Sequence, residues 1–333
     1  MRKGFTLLLF LLVFTTAWSQ NAESDTIQGW RTGAGVGFDF AQLFQLNPRQ
    51  GAGQNRLGFG GATNIFAKYR KNRLAWDNLG NWQFGLQRLG SGVIAQGTTQ
   101  QIPFQKAIDE FRLNSKLGFK ASETSKFFYT ADFFLFSQIT PTYNDPALPG
   151  NFPGALSDTS NLLSRFFAPA TITLSTGIDY KPNPKISFYY SPIAAKFIIV
   201  ANDEIAATGV QGNPVTRNAS GTIVDFENVD AQFGSLMRIN YTSKFLQDRL
   251  AYTSALLLFS NYVNDPQNID VDWTNELALN IFKGLQLSLT ANIFYDHDIQ
   301  VQITDYDAPN GVSGLGRRVS LTQQLLLKYN VVF

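Results

Sequence analysis

Residues Val319 to Phe333 read VSLTQQLLLKYNVVF, and their periodicity decides the fold. Taken two at a time, Val319, Leu321, Leu325, Leu327, Tyr329, Val331 and Phe333 share one face. Ser320, Thr322, Gln324, Lys328 and Asn330 share the other, with Gln323 and Leu326 as the lapses. Alternation of this kind describes an extended strand with one apolar and one polar side. The stretch is far longer than the roughly five or six residues of an average strand in a soluble protein.

A final amphipathic strand that ends on an aromatic residue resembles the closing strand of outer-membrane β-barrels in Gram-negative bacteria. The resemblance implies that the barrel-assembly machinery reads this segment. The other end of the chain fits the same compartment. Arg2 and Lys3 precede an apolar run from Phe5 to Phe14, followed by Ala17-Trp18-Ser19. That is the pattern of a secretory signal peptide over residues 1–19, which is removed before folding. Its apolar core is shorter than the roughly 18 to 20 residues of a spanning helix, and the chain has no cysteine for lipid attachment. Residues 20–29 are expected to form a short periplasmic lead, and 30–333 the folded unit.

Beyond residue 20 no apolar run is long enough to span as a helix; the greasiest piece, Ala251 to Phe259, contains Tyr252, Thr253 and Ser254. Lipid offers backbone groups no hydrogen-bond partner, so insertion then requires a closed barrel. Composition agrees: 44% hydrophobic, 14% aromatic and only 16% charged, where about a quarter is the usual charged share. A net charge of +2, from 27 basic and 25 acidic residues, argues against a nucleic-acid surface. The absence of cysteine excludes disulfides and thiolate metal sites.

Alternation begins at Trp30, where Ala34, Val36, Phe38 and Phe40 oppose Gly33, Gly35, Gly37 and Asp39. It recurs in about a dozen segments of roughly 10 to 16 residues, enough for a tilted strand to cross a bilayer. In the fourth, Phe111, Leu113, Leu117 and Phe119 oppose Glu110, Arg112, Asn114, Lys116 and Lys120. In the tenth, Ile269, Val271, Trp273 and Leu277 oppose Asp270, Asp272, Thr274 and Glu276. Pro192 interrupts the seventh, which predicts a bulge or a break there. Connectors such as 70–73, 181–185, 246–249 and 282–284 are tight. Those at 41–55, 88–107, 139–165, 201–230 and 297–318 are long and rich in Gly, Pro, Asn and Gln. Short turns alternating with long loops are the asymmetry of transmembrane barrels. The expected fold is therefore all-β: a transmembrane antiparallel up-and-down barrel of about 12 strands, with 10 and 14 as alternatives.

The segment Phe66 to Arg88, FAKYRKNRLAWDNLGNWQFGLQR, resembles an uncharacterised family of Gram-negative outer-membrane barrel proteins, a domain of unknown function. Its members carry a strand ending in Tyr-Lys-Lys-like residues, a tight turn, then Trp-Asp-Asn and a later Gly. Here these are Tyr69, Arg70, Lys71, Trp76, Asp77, Asn78 and Gly85. Members often have Asn-Trp and glycines in the first long loop, whereas this chain has Asn47-Pro48-Arg49-Gln50-Gly51. The resemblance implies a barrel in the cell outer membrane and no established activity.

Alternation also nominates a lumen lining of mixed sign: Asp77, Glu110, Arg112, Lys116, Lys120, Asp132, Arg238, Asp270, Asp272, Glu276 and Lys328. With the fourth and tenth strands opposite one another in a twelve-stranded ring, a basic wall faces an acidic wall across a narrow passive channel for small solutes. The alternative is a closed structural or surface-binding barrel, with charges paired between neighbouring strands (Lys116 with Asp132, for example), acting through its long extracellular loops. Trp30, Trp76, Trp82, Trp273, Tyr295, Tyr329 and Phe333 lie toward strand ends, as an interfacial aromatic belt would. A remote alternative is lipid hydrolysis. His297 lies on the lipid side by parity, as in twelve-stranded outer-membrane phospholipases, but their Ser two residues later is Ile299 here. Asp296, Asp298, Asp305 and Asp307 do not complete a calcium loop, and the glycine groups at 33–37 and 58–61 lack the helix a nucleotide motif requires. No enzyme activity, cofactor or metal is expected. The expected partners are outer-membrane lipid and the assembly machinery, with the chain as a monomer.

Overall fold

The computed structural model of the chain describes residues 28–47, 56–87, 103–297, 301–305, 307 and 312–332. In chain order the strands begin with β1 (Gly29–Leu46), β2 (Arg56–Lys71), β3 (Leu74–Gln87), β4 (Gln105–Lys120) and β5 (Phe127–Ser137). A loop then carries β6 (Thr142–Asp145), β7 (Leu148–Phe152) and β8 (Asn161–Ser164). β9 (Ala170–Asn183) and β10 (Ile186–Ile199) follow, then a loop holding α1 (Asp203–Ala206), β11 (Val215–Arg217) and β12 (Ile223–Phe226). β13 (Val229–Phe245), β14 (Leu250–Asn261), β15 (Ile269–Phe282) and β16 (Leu285–Tyr295) come next. The loop strands β17 (Val301–Thr304) and β18 (Val312–Gly316) precede β19 (Ser320–Val332).

Twelve of these close one antiparallel barrel in the order β1-β19-β16-β15-β14-β13-β10-β9-β5-β4-β3-β2. Closure is made by the stretch that opened the sequence analysis. β19 runs antiparallel to β1, from Gly35 opposite Val332 to Leu46 opposite Leu321, and pairs with β16 on its other side, Leu285 opposite Tyr329. No barrel strand keeps an open edge, the condition lipid imposes. Among the described residues no helix is long and apolar enough to cross a membrane.

Parity assigns the two faces. Val36, Phe38, Phe40, Phe59, Ile65, Leu117, Phe119, Leu174, Tyr190, Leu325 and Leu327 are all exposed although large and apolar. On a water-soluble protein so extensive a band of exposed apolar surface would be anomalous. Around a barrel in hydrocarbon it is the surface the solvent requires.

Several strand boundaries differ by a few residues from the expected ones, β4 and β13 beginning at Gln105 and Val229, and two differ for a clear backbone reason. β1 continues past Phe40 to Leu46, because the ladder joins peptide groups and its pairing with β2 and β19 does not depend on side-chain alternation. β9 starts at Ala170 rather than near Phe166, since Pro169 has no N–H to offer a neighbour. At Pro192 the ladder shifts register, between Ser191 and Ala194 on the β13 side and between Tyr190 and Ile193 on the β9 side. The Ser191 hydroxyl donates to the Thr176 and Ile193 carbonyls, both at 2.7 Å, and so closes the gap that the bulge leaves. Gly177 permits this approach: a Cβ there would lie 2.0 Å from the Tyr190 carbonyl oxygen.

The two ends of the barrel are unlike. One carries the tight turns, such as Asn72-Arg73, where Arg73 Nε donates to the Lys120 carbonyl at 2.7 Å and the guanidinium lies 4.5 Å from the centre of the Phe119 ring. The other carries folded loops. The loops after β5 and β10 pack on each other through Ala168, Val200, Ile205 and Ala206, with Leu162 and Phe226 against them. Gln211 Nε2 of one loop donates to the Leu163 carbonyl of the other at 2.9 Å. Asn202 caps α1 by accepting from the Ile205 N–H at 2.9 Å.

Candidate functional site

The lumen is the candidate site, and register determines what lines it. Asp77, Glu110, Arg112, Lys116, Lys120, Asp132, Arg238, Asp270, Asp272, Glu276 and Lys328 fall on the face opposite the lipid-facing apolar set. The ladders place Asp77 opposite Lys116, Lys116 opposite Asp132, Asp270 opposite Phe259 and Glu276 opposite Thr290. β4 and β15 lie six places apart around the ring of twelve, diametrically opposed.

The ion pairs are not the ones adjacency suggests. Lys116 faces Asp132 across one rung yet reaches over β5 to Asp179 at 2.7 Å. Asp132 is taken by Arg238 of β13 at 2.9 Å, and Asn114 Nδ2 also donates to it at 2.9 Å. The reason is the curvature of a closed sheet: inward side chains converge, so long cations reach carboxylates two or three strands away. Lys196 bridges Asp270 at 3.2 Å and Asp296 at 3.3 Å. Lys328 pairs with Glu276 at 2.9 Å, and Asp77 with Arg70 at 2.8 Å. Asp272 accepts from Asn292 Nδ2 at 2.6 Å. Lys120, at the turn end, has no ion pair among the described residues.

These charges occupy two different surroundings. Toward β10, β13 and β14 the lumen is packed. Tyr189, Ala194, Leu236 and Phe259 form a buried cluster with Leu257 against it, the Tyr189 hydroxyl shares a hydrogen bond with Ser175 Oγ at 2.9 Å, and Asp132 and Asp179 are each 1% exposed at the side chain. The ammonium of Lys116 lies 4.8 Å from the centre of the Tyr189 ring and that of Lys196 lies 5.2 Å from the Phe259 ring centre, each held by aromatic faces as well as by carboxylates. On the β3–β4 side the wall is wet. Arg112 and Glu110 pair at 2.8 Å with side chains 41% and 35% exposed, and inward-facing Leu79 is 42% exposed. The Arg112 guanidinium lies 5.4 Å from the centre of the Phe136 ring, whose face supports the charge.

On the outer wall Trp30 meets Tyr69 at 5.1 Å and Trp76 at 5.5 Å, near the turn end. Tyr329 lies exposed at the same end. Trp82, Trp273 and Tyr295 lie toward the loop end, and Phe333 is outside the described residues. The Trp-Asp-Asn motif divides between the faces. Trp76 Nε1 donates to Ser115 Oγ at 2.9 Å, Ser115 donates to Asn78 Oδ1 at 2.7 Å, and Asn78 Nδ2 donates to the Ala67 carbonyl at 3.2 Å. A lipid-facing amide is thus satisfied within the wall, while Asp77 points inward to Arg70.

One cluster escapes simple parity. A bulge at Ala107 puts Lys106 and Asp109 on the same side, paired at 3.0 Å and buried. Asp109 also accepts from Trp82 Nε1 at 3.1 Å and from the Thr140 N–H at 2.7 Å; Lys106 donates to Gln138 Oε1 and the Thr140 carbonyl, both at 2.9 Å. This pair fastens the loop after β5 to the rim. The only available signal was Lys106 and Asp109 in an otherwise polar lead into a strand. His297 Nδ1 shares a hydrogen bond with the Tyr295 hydroxyl at 3.3 Å and its backbone N–H donates to Asp270 Oδ1 at 3.4 Å; no Ser hydrogen-bonds to its ring among the described residues. Among those residues no group of three metal-binding side chains exists.

The fold, the apolar exterior and the charged interior define a β-barrel of the outer-membrane type. A family described as a protein of unknown function (DUF3078) matches residues 44–143, which include the Trp-Asp-Asn segment. No curated protein sequence matches the chain. Among solved structures, the outer membrane channel COG4313 from Pseudomonas putida F1 is similar over 93% of this chain and 100% of its own, at 11% identity and a TM-score of 0.38. Outer membrane phospholipase A from Escherichia coli is similar over 93% and 94%, at 9% identity and a TM-score of 0.39. The translocator domain of the autotransporter NalP from Neisseria meningitidis is similar over 92% and 89%, at 6% identity and a TM-score of 0.39.

Proposed function

We propose that the chain resides in the cell outer membrane as a narrow passive channel for small solutes, without enzymatic activity. The observation that carries this reading is water access inside a closed wall. Arg112 and Glu110 lie far from either end of β4, on its inward face, and remain about two-fifths and one-third exposed. Inward charge accessible to water is the interior a porin-type barrel has. The turn end is then periplasmic and the folded loops extracellular. The packed wall around Tyr189 narrows the passage to the β1–β4 and β15–β19 side, which favours small solutes.

Single-channel recording in planar bilayers tests the reading. Folded protein is expected to give discrete conductance steps. Protein that inserts, shows the heat-dependent gel mobility of a folded barrel and passes no current overturns it. In the same preparation His297→Ala is expected to leave any lipid turnover at background.

A further inference from the structure

Two cations on the wet side of the lumen each stand between two carboxylates. Arg112 pairs with Glu110 of its own strand at 2.8 Å, and the Asp272 carboxylate of β15 acts on the same guanidinium from across the lumen. Lys328 pairs with Glu276 at 2.9 Å, and Asp39 faces it across one rung of the β1–β19 ladder. Lys116, the neighbouring inward cation of β4, is drawn sideways to Asp179 at 2.7 Å. Arg112 is thus the β4 cation that looks across the barrel.

The Arg112 group spans the lumen. β4 and β15 are diametrically opposed in the ring, so their backbones are as far apart as the barrel allows, yet Arg112 and Asp272 remain within electrostatic reach. They form no direct ion pair among the described residues, and a gap lies between them. Both sides of that gap are held in place. Behind Arg112 stand Glu110 and the Phe136 ring; beside Asp272, Asn292 Nδ2 donates to its carboxylate at 2.6 Å and to Thr274 Oγ1 at 2.9 Å. The rungs next to the guanidinium carry amides, Asn81 opposite Arg112 and Gln83 opposite Glu110. Arg112 and Glu110 are exposed enough for a passing solute to meet them.

We propose that Arg112, Glu110 and Asp272 form the selecting constriction of the lumen, and that it favours small zwitterions, solutes carrying an ammonium and a carboxylate a few ångströms apart. The proposal rests on the channel reading above. A zwitterion entering the gap turns its carboxylate to Arg112, whose planar fork donates two parallel N–H groups, and its ammonium to Asp272 or Glu110. Each of its charges that loses water then gains a partner. A wall that displaces solvent strengthens those contacts relative to bulk water, while the water that still reaches Arg112 and Glu110 keeps them weak enough to release. An ion of one sign is attracted by one group and repelled by the next. A neutral solute gains neither contact.

The test is osmotic swelling of vesicles that contain the folded protein, with glycylglycine as the zwitterion and erythritol as a neutral solute of similar size, at neutral pH and low salt. Glycylglycine is expected to enter roughly twofold faster or more. In Arg112→Gln, and in the double variant Glu110→Gln with Arg112→Gln, which removes both charges of the pair together, the ratio is expected to fall toward one. Arg112→Gln is also expected to move the reversal potential in a salt gradient toward cation selectivity, a change that loss of packing alone does not produce. Heat-dependent gel mobility shows that each variant is folded. Equal entry of the two solutes in the unaltered protein, a ratio unchanged in both folded variants, or ionic current with no entry of either solute overturns the constriction while leaving the channel standing. Folded protein that passes neither current nor solute overturns both.

Discussion

The packed and wet sides of the lumen are built from the same ladder and contain the same kinds of ion pair, yet their surroundings differ. Arg238 and Asp132 lie among Tyr189, Leu236 and Phe259 with the acid almost wholly enclosed. Lys328 and Glu276 meet at the same 2.9 Å with side chains a quarter and a third exposed. What differs is what surrounds each pair. In the packed wall a carboxylate has lost its water and depends on its partner, whereas in the wet wall solvent shares the load. One side of this barrel is thus filled with apolar side chains, and the other keeps its inward ion pairs solvent-exposed.

The largest expected effect lies in the packed wall. A Cβ at Gly234 would lie 1.8 Å from the Ser260 carbonyl oxygen. Backbone must move to admit it, so Gly234→Val is expected to abolish the folded, heat-modifiable band on a gel. A variant that folds with unchanged stability breaks the claim of close strand approach on this side.

Next comes the contrast between the pairs. Asp132→Ala leaves the Arg238 guanidinium in an enclosed site and is expected to lower stability by roughly 3 to 5 kcal/mol, read by urea unfolding in lipid vesicles. Glu276→Gln, in the wet wall, is expected to cost less than about 1 kcal/mol in the same assay. Equal costs would erase the distinction between the walls.

How much of this was legible in the sequence follows from what each feature depends on. Alternation reports burial against lipid, a property of single positions, and it placed Leu321 to Tyr329 and Ile269 to Ile281 on their faces. Closure by β19 on β1 and the register shift at Pro192 followed from the same local chemistry. Ion pairing depends on convergence across the ring, which no linear pattern contains: Lys116 chose Asp179, sixty-three positions away in the chain, over Asp132 beside it. The Lys106–Asp109 anchor was hidden because one bulged residue, Ala107, inverted the parity. Leu326, a lapse in the closing strand, is an inward residue only 2% exposed, so an irregular position there marked packing rather than error.

Because the chain has no cysteine, single cysteines can report each wall separately, and one labelling experiment tests the central claim most directly. Leu79→Cys, Leu236→Cys and Phe38→Cys place a thiol in the wet lumen, the packed lumen and the lipid face. In folded protein reconstituted in vesicles, a charged, membrane-impermeant thiol reagent is expected to modify position 79 and spare 236 and 38, with all three reacting after unfolding. Reaction at 236 as fast as at 79, or protection of 79 in the folded barrel, would contradict a lumen that is open on one side and filled on the other.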